Sequence, residues 1–509
     1  MNRRIRRLGV ALVVLFGLLF VQISYLQVFA SERISSNPAN ATRQIIAEYR
    51  VDRGRILSAD GVVLAQSDAI TGRAAFLYRR SYPDGPLFAG LTGYYSRIYG
   101  RTELEQAMNP FLSGDAAELA VSTFADLILG RTKKGGTVVT TVDAQLQRVA
   151  SEALGSLPGA VVALDPITGD ILALVSNPTF DPNELSQQDS EAVRASWERL
   201  NSDPDQPLLS RANDELYPPG STFKIITAAA ALEAGYGLDS TWPNPHELDL
   251  PLSNGTIQNF GGSTCPGGSK TTFLTAFTSS CNVIFGEIGL QLGAQKLSDQ
   301  AHAFGFCETA PPVQTECIEP TIPFAIPFAI PFANGRFPVA SYFEQNDPLV
   351  AISAIGQDNV LANPMQMALV ASAVANGGKM MRPRLVTEIR DPQGRVIRRF
   401  DTEEYGRPIS AQTADALRTL MVNVVAVGTG QAAQIAGITV AGKTGTAQHG
   451  GPGTAPHAWF VSFAPAGEGE VPTIAVAVIV LDGGDLGAEA TGGAIAAPIA
   501  RQIIEAFLG

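Results

Sequence analysis

The sequence predicts an α+β protein carried behind a single N-terminal transmembrane helix, and three observations predict it. An uncharged apolar run from Leu8 to about Ala30 follows Arg3, Arg4, Arg6 and Arg7. Strand-like segments stand at both ends of residues 156–509, with helical patterns between them. The stretch Tyr217-Pro218-Pro219-Gly220 leads into a nearly unbroken apolar run from Ser221 to Ala234, which reads as a helix buried on all sides. A sheet built from both ends of a segment, with helices between, makes one α+β domain.

Composition bounds what this chain can do. Its 509 residues suffice for two or three domains with large cores. Charged residues at 17% and hydrophobic residues at 45% describe a globular chain. A formal charge of -12 argues against nucleic acid or an anionic membrane surface as the main partner. Four cysteines allow at most two internal disulfides. With four histidines and no Cys-x-x-Cys or His-rich tract, no metal is expected, and no cofactor either, since no Gly-rich phosphate loop occurs.

In chain order, residues 1–30 form a cytoplasmic tail and anchor. The arginines place the N-terminus in the cytoplasm and the remainder outside the cell. Cleavage after Val28-Phe29-Ala30 is the alternative, but the apolar run is longer than a signal-peptide core. Residues 31–155 read as a mixed α/β pedestal. Val51 to Leu57 and Ala59 to Leu64 pair as strands around Asp60-Gly61, and Thr102-x-x-Glu105 reads as a capping box opening a helix towards Leu112. Val138 to Asp143 is a strand and Ala144 to Leu154 an amphipathic helix.

Within 156–509, Ala160 to Asp165 and Asp170 to Val175 form a hairpin across Pro166-Ile167-Thr168-Gly169. A polar stretch, 183–214, precedes the helix from Ser221. Helical patterns recur at Thr271 to Leu292, Pro364 to Asn376 and Ala411 to Val427. Strands follow at Thr439 to Gly442, Trp459 to Phe463 and Thr473 to Leu481, before a closing helix up to Phe507. Ile-Pro-Phe-Ala occurs three times over 322–333, with proline too frequent for helix or sheet interior; a tandem duplication in a tolerant loop is the expected reading, and a membrane-touching or partner-binding apolar loop is the alternative.

Candidate chemistry centres on Ser221 and Lys224. Among the seven lysines only Lys224 has a serine three residues before it. A hydroxyl and an amine held together at the start of a core helix suit an activated nucleophile. Two further short motifs lie in the same domain: Ser280-Cys281-Asn282 in an apolar helical context, and Lys443-Thr444-Gly445-Thr446 after a strand. The spacings are 280 − 221 = 59 and 443 − 280 = 163. Each motif is weak alone; their order and spacing make a set, the one described for penicillin-recognising serine enzymes.

On these residues the chain resembles the class B penicillin-binding proteins, D,D-transpeptidases of the bacterial cell wall, and is most similar to the penicillin-binding protein A type of high-GC Gram-positive bacteria. The resemblance extends to Arg53-Gly54-Arg55-Ile56, to Gly159 to Asp165, to Gly356-Gln357-Asp358-Asn359 and to Ala447-Gln448. It implies a penicillin-recognising, β-lactamase/transpeptidase-like domain over 156–509, with an antiparallel sheet flanked by helices. It also implies roles. Ser221 is acylated, Lys224 is its base, Lys443 lowers the pKa of Lys224, and Ser280 passes a proton to the leaving D-alanine. Asn282 holds the stem-peptide amide, Thr444 and Thr446 hold the terminal carboxylate, Gly445 leaves room for substrate, and the amides of Ser221 and Thr446 face the oxyanion.

The implied partners are peptidoglycan stem peptides on lipid II-derived strands, β-lactams, a SEDS-type membrane glycosyltransferase and division or elongation proteins. A D,D-carboxypeptidase, a β-lactam sensor and an inactive divisome scaffold are the alternatives. A class A β-lactamase would need Glu-x-x-Leu-Asn after Ser280-Cys281-Asn282; Glu287 has only Leu290, on the same apolar helix. In an exported protein Cys265 and Cys281 are expected to pair beside the site, and Cys307 with Cys317, four free thiols being the alternative.

Overall fold

The computed structural model describes residues 2–28, 48–70, 76–120, 132–311, 317, 330, 332–344, 346–451 and 453–509. The N-terminal run is one helix, Asn2–Val28, whose apolar span Ile5–Tyr25 is 21 residues long and not buried. At about 1.5 Å per residue it can cross a hydrocarbon core of about 30 Å, as a single-pass anchor requires. Phe29-Ala30 and most of the Ile-Pro-Phe-Ala repeat lie outside the described residues.

The expected turn at Asp60-Gly61 joins Ile56–Leu57 to Val63–Ala69 as an antiparallel pair, with Gly61 at φ 85°. These strands belong to a six-stranded sheet in the order 396–399, 386–390, 137–140, 56–57, 63–69, 78–81. Two of its strands therefore come from far beyond residue 156. Conversely, helix Ala144–Leu154, capped by Asp143 accepting from Leu146 N–H at 2.8 Å, packs on strand Ile171–Asn177 and the C-terminal helix Ala497–Leu508. Segments from both sides of the boundary expected at 155/156 therefore pack together.

The capping box is not formed. Thr102 makes no side-chain cap, and its hydroxyl accepts from Tyr94 N–H instead. The helix divides into Glu103–Ala107 and Asn109–Leu112. Glu105 is drawn inward by two buried guanidiniums, Arg53 Nε at 2.7 Å and Arg80 Nε at 2.5 Å. Arg53 also donates to Glu105 O and Asn109 Oδ1, and Arg80 to Gly54 O. Burial alone would raise the Glu105 carboxyl; Arg53 and Arg80 outweigh it and hold it below its usual range. Glu105→Ala strands two guanidiniums with no acceptor of opposite charge, and a loss of about 3–5 kcal/mol is expected in denaturant unfolding of the full chain. A loss below about 1 kcal/mol would show that the triad is dispensable.

The second sheet is antiparallel, in the order 441–447, 457–464, 474–480, 159–164, 171–177. Period-two alternation sends Trp459, Val461 and Phe463 into one core and Ala458, Phe460 and Ala464 into another. Helices 144–154 and 497–508 cover the second face. Helices Lys224–Glu233, Pro364–Ala375 and Ala411–Ala426 lie in the first core. Strand Ala441–Ala447 is left at the edge of this sheet.

Candidate active site

The approach to Ser221 is fixed before its helix begins. Gly220 to Phe223 form a 3-10 turn, and the α-helix starts at Lys224, three residues later than the sequence suggested. Gly220 sits at φ 52°, and its N–H donates to Gly356 O at 2.9 Å. A side chain there would meet Thr446 O at 2.8 Å, and one at Gly445 would meet Thr222 Cγ2 at 2.9 Å and Pro219 O at 3.0 Å. The Ser221 turn therefore lies directly against the 445–447 end of the edge strand, an approach that both glycines permit. Trp459 Nε1 donates to Pro218 O at 3.0 Å from the neighbouring strand.

The helix expected over 271–292 is broken at the site. Phe273–Thr278 ends at Ser279, Ser280 adopts φ 58°, and a new helix runs Asn282–Leu292. A continuous helix would use the Ser280 carbonyl in its own ladder. The left-handed kink frees that carbonyl, and Lys224 Nζ donates to it at 2.7 Å. Lys224 Nζ also donates to Asn282 Oδ1 at 2.8 Å and lies 3.4 Å from Ser280 Oγ. Lys443 Nζ reaches the same hydroxyl at 2.8 Å and Thr444 O at 3.0 Å. One serine oxygen thus bridges two amines, neither of them exposed to solvent.

Burial first, and Lys443 second, hold the Lys224 amine well below its ordinary value. Burial alone brings Lys443 down to about 7. The faces of Phe285 and Phe277 stand 5.5 and 5.6 Å from the two nitrogens and keep water away. A neutral Lys224 has two N–H bonds and one lone pair. Ser280 O and Asn282 Oδ1 accept from this amine, with the Ser280 hydroxyl 3.4 Å away.

Lys443-Thr444-Gly445-Thr446 lies within the edge strand, not after one as expected. Alternation turns Lys443 and Gly445 toward the Ser221 turn and Thr444 to the opposite face. There Thr444 is buried, its hydroxyl 2.6 Å from that of Thr429. Thr446 shares that face of the strand, while the Thr444 carbonyl accepts from Lys443 Nζ at 3.0 Å. Thr446 is half-buried.

Sequence reasoning missed Thr429, marked only by the flanking Gly428 and Gly430. It also missed Asn259, whose Oδ1 accepts from Val283 N–H at 3.1 Å and caps the helix that Cys281 leaves uncapped. No local signal marks Asn259. Its neighbour Gln258 accepts from Asn282 Nδ2 at 3.0 Å and so orients the amide.

Cys265 and Cys281 are bonded with Cα atoms 5.9 Å apart, and Cys307 with Cys317 at 5.5 Å. The first bridge spans 16 residues and ties the 263–268 loop to the residue between Ser280 and Asn282. Cys265→Ala with Cys281→Ala is expected to lower unfolding stability by about 3 kcal/mol. Non-reducing peptide mapping should find Cys265–Cys281 in the unmodified chain; a Cys265–Cys307 link would contradict this pairing.

Residues 159–505 match the family model of the penicillin binding protein transpeptidase domain, and 53–138 match that of the penicillin binding protein A dimerisation domain. The chain is 42% identical to the peptidoglycan D,D-transpeptidase PbpA of Mycolicibacterium smegmatis, over all of this chain and 99% of that one. It is 39% identical to PbpA of Mycobacterium tuberculosis over the same shares. The ceftriaxone acyl-enzyme complex of penicillin-binding protein A from M. tuberculosis superposes with a TM-score of 0.82 at 38% identity, covering 91% of this chain and 100% of the other. The penicillin G acyl-enzyme complex of that protein gives 0.80 at 39%, covering 90% and 100%.

Proposed function

The chain belongs to the penicillin-binding protein transpeptidase family, and from that premise we propose that it is a membrane-anchored peptidoglycan D,D-transpeptidase working through an acyl-enzyme on Ser221. The observation that carries the assignment is the pair of buried lysines joined through Ser280 Oγ beside the Ser221 turn. Lys224, in its neutral form, takes the Ser221 proton as the hydroxyl attacks the carbonyl between two D-alanines. The amides of Ser221 and Thr446 stabilise the oxyanion. The C–N bond to the terminal D-alanine breaks, and the proton returns to its amine through Ser280. An acceptor amine from a second stem peptide then attacks the ester, forming the cross-link and restoring the Ser221 hydroxyl.

Asn282 aligns the stem-peptide amide, and Lys443 with Thr444 and Thr446 holds the terminal carboxylate, Thr429 positioning the Thr444 hydroxyl. Gly445 lets the donor peptide lie along the strand edge. β-Lactams inhibit by acylating the same serine. The N-terminus lies in the cytoplasm and the catalytic domain outside the membrane, with the pedestal between them. A SEDS-type glycosyltransferase and division or elongation proteins are its membrane partners.

The test uses the full chain with lipid II and such a glycosyltransferase. Cross-linked, penicillin-sensitive muropeptides are expected, together with a slowly released penicillin adduct. D-Alanine release without cross-links would make it a carboxypeptidase, and rapid turnover of penicillin a β-lactamase.

A further inference from the structure

Beyond the acylation site, three side chains from separate segments converge at the far end of the edge strand. His449 lies two residues past the strand Ala441–Ala447, His457 begins the next strand opposite Ala447, and Asp482 follows the strand Ile474–Val480. His449 Nε2 is 2.9 Å from Asp482 Oδ1, and His457 Nδ1 is 3.8 Å from the same oxygen. All three ligand atoms fall within 4.8 Å of one another. Asp482 holds this position at φ 50°, a left-handed conformation that an aspartate adopts only at some cost. No motif in the sequence announces the cluster, because its members stand 8 and 25 residues apart in the chain.

We propose that His449, His457 and Asp482 bind a divalent transition metal, zinc foremost, with the fourth position open to water. Ligand atoms about 2.0–2.2 Å from one zinc are mutually spaced by about 3–4 Å, and these are close to that spacing already. Two imidazoles and one carboxylate suit zinc over calcium or magnesium, which prefer all-oxygen shells. The exposures run from 8% at His457 through 24% at His449 to 65% at Asp482, so the ion enters from the Asp482 side.

Three present contacts must yield. The imidazoles are stacked, centroids 3.7 Å apart and planes 9° from parallel, so an ion in plane with both requires one ring to turn. His449, on the loop, is the ring with room to do so. Its Nε2 also contacts Ala455 O at 2.9 Å, and His457 Nδ1 accepts from Asp482 N–H at 3.2 Å. Binding exchanges these two hydrogen bonds for metal bonds. The ion then ties the 448–456 connection to the 482 turn beside the catalytic strand, and His457 already meets the ring of Tyr217 edge-on at 5.4 Å, at the start of the Ser221 approach.

Zinc binding is read here without catalysis, so it stands or falls independently of the transpeptidase assignment. The full chain in detergent is stripped with a chelator and titrated with zinc against a chromophoric competitor. One zinc per chain is expected, with a rise in unfolding temperature. His449→Ala and Asp482→Asn, both at the surface, should each weaken binding at least about tenfold and lose that rise, whereas His302→Ala on a remote helix should change neither. X-ray absorption of the zinc-loaded unmodified chain should show two imidazole ligands, a readout no variant's folding can affect. Failure of the unmodified chain to take up stoichiometric zinc, or unchanged uptake by both variants, overturns the site.

Discussion

Replacing Ser221 by alanine is expected to abolish covalent labelling by penicillin while leaving the unfolding transition in place. The nucleophile's loss is not partial. With no hydroxyl on the turn, neither Lys224 nor the oxyanion donors have a bond-forming atom to act on, and in enzymes whose catalytic groups act as a unit such a change costs about 10⁶-fold. The fold should tolerate it, because the turn is held by other atoms. Gly220 N–H bonds Gly356 O, Thr222 Oγ1 donates to Pro219 O at 2.7 Å, and Lys224 N–H bonds Ser221 O. Alanine leaves all three, so the stability change should stay within about 1 kcal/mol. Mass spectrometry of the penicillin adduct decides it, and an adduct mapped to any residue other than Ser221 removes the mechanism.

The parts of the fold legible in the sequence are those whose signals are local. Helix Ala144–Leu154 is expected over those residues and is found over them. The hairpin 159–177 and the helices at 364–375 and 411–426 differ from expectation by a residue or two at their ends. Strong periodicity and explicit caps do this. Helix Ser190–Ser202 is hidden inside a stretch that reads as merely polar, because its narrow stripe of Val193, Trp197 and Leu200 is outnumbered by polar and charged residues. The kink at Ser280 has neither glycine nor proline to mark it. It exists because a buried amine needs the carbonyl that a helix would have consumed. The strands Val386–Arg390 and Val396–Arg399 escape notice as members of the pedestal sheet because pairing across so long a separation leaves no trace in either segment. In the site, the residue types are legible as motifs, whereas Thr429 and Asn259 act through a single contact each and have no pattern to betray them.

Lys224→Arg is expected to lower the rate of penicillin acylation by about 10³-fold, within the range for losing a general base, although the substitution keeps the side chain long and cationic. One lone pair decides the outcome. Lys224 serves as base only when neutral, and burial first, with Lys443 second, favours that form by holding the amine well below its ordinary value. A guanidinium in a protein stays protonated and offers donors without a lone pair. It would also bring a permanent charge into a site with no solvent, 5.5 Å from the Phe285 ring and facing a second amine. The same environment sets the pH dependence in the unmodified protein. Acylation should fall on the acid side, as protons return to the base. Stability moves in the same direction through Lys443, whose folded pKa is about 7 against about 10.4 unfolded. Between those values the unfolded chain binds the extra proton, so this group's penalty on folding shrinks as pH rises through that window and is largest below it. Stopped-flow acylation of the Lys224→Arg variant, checked for an intact unfolding transition, tests the base directly. A rate within about tenfold of the unmodified protein would mean that the proton leaves Ser221 by another route, with Lys443 through Ser280 as the remaining amine in contact.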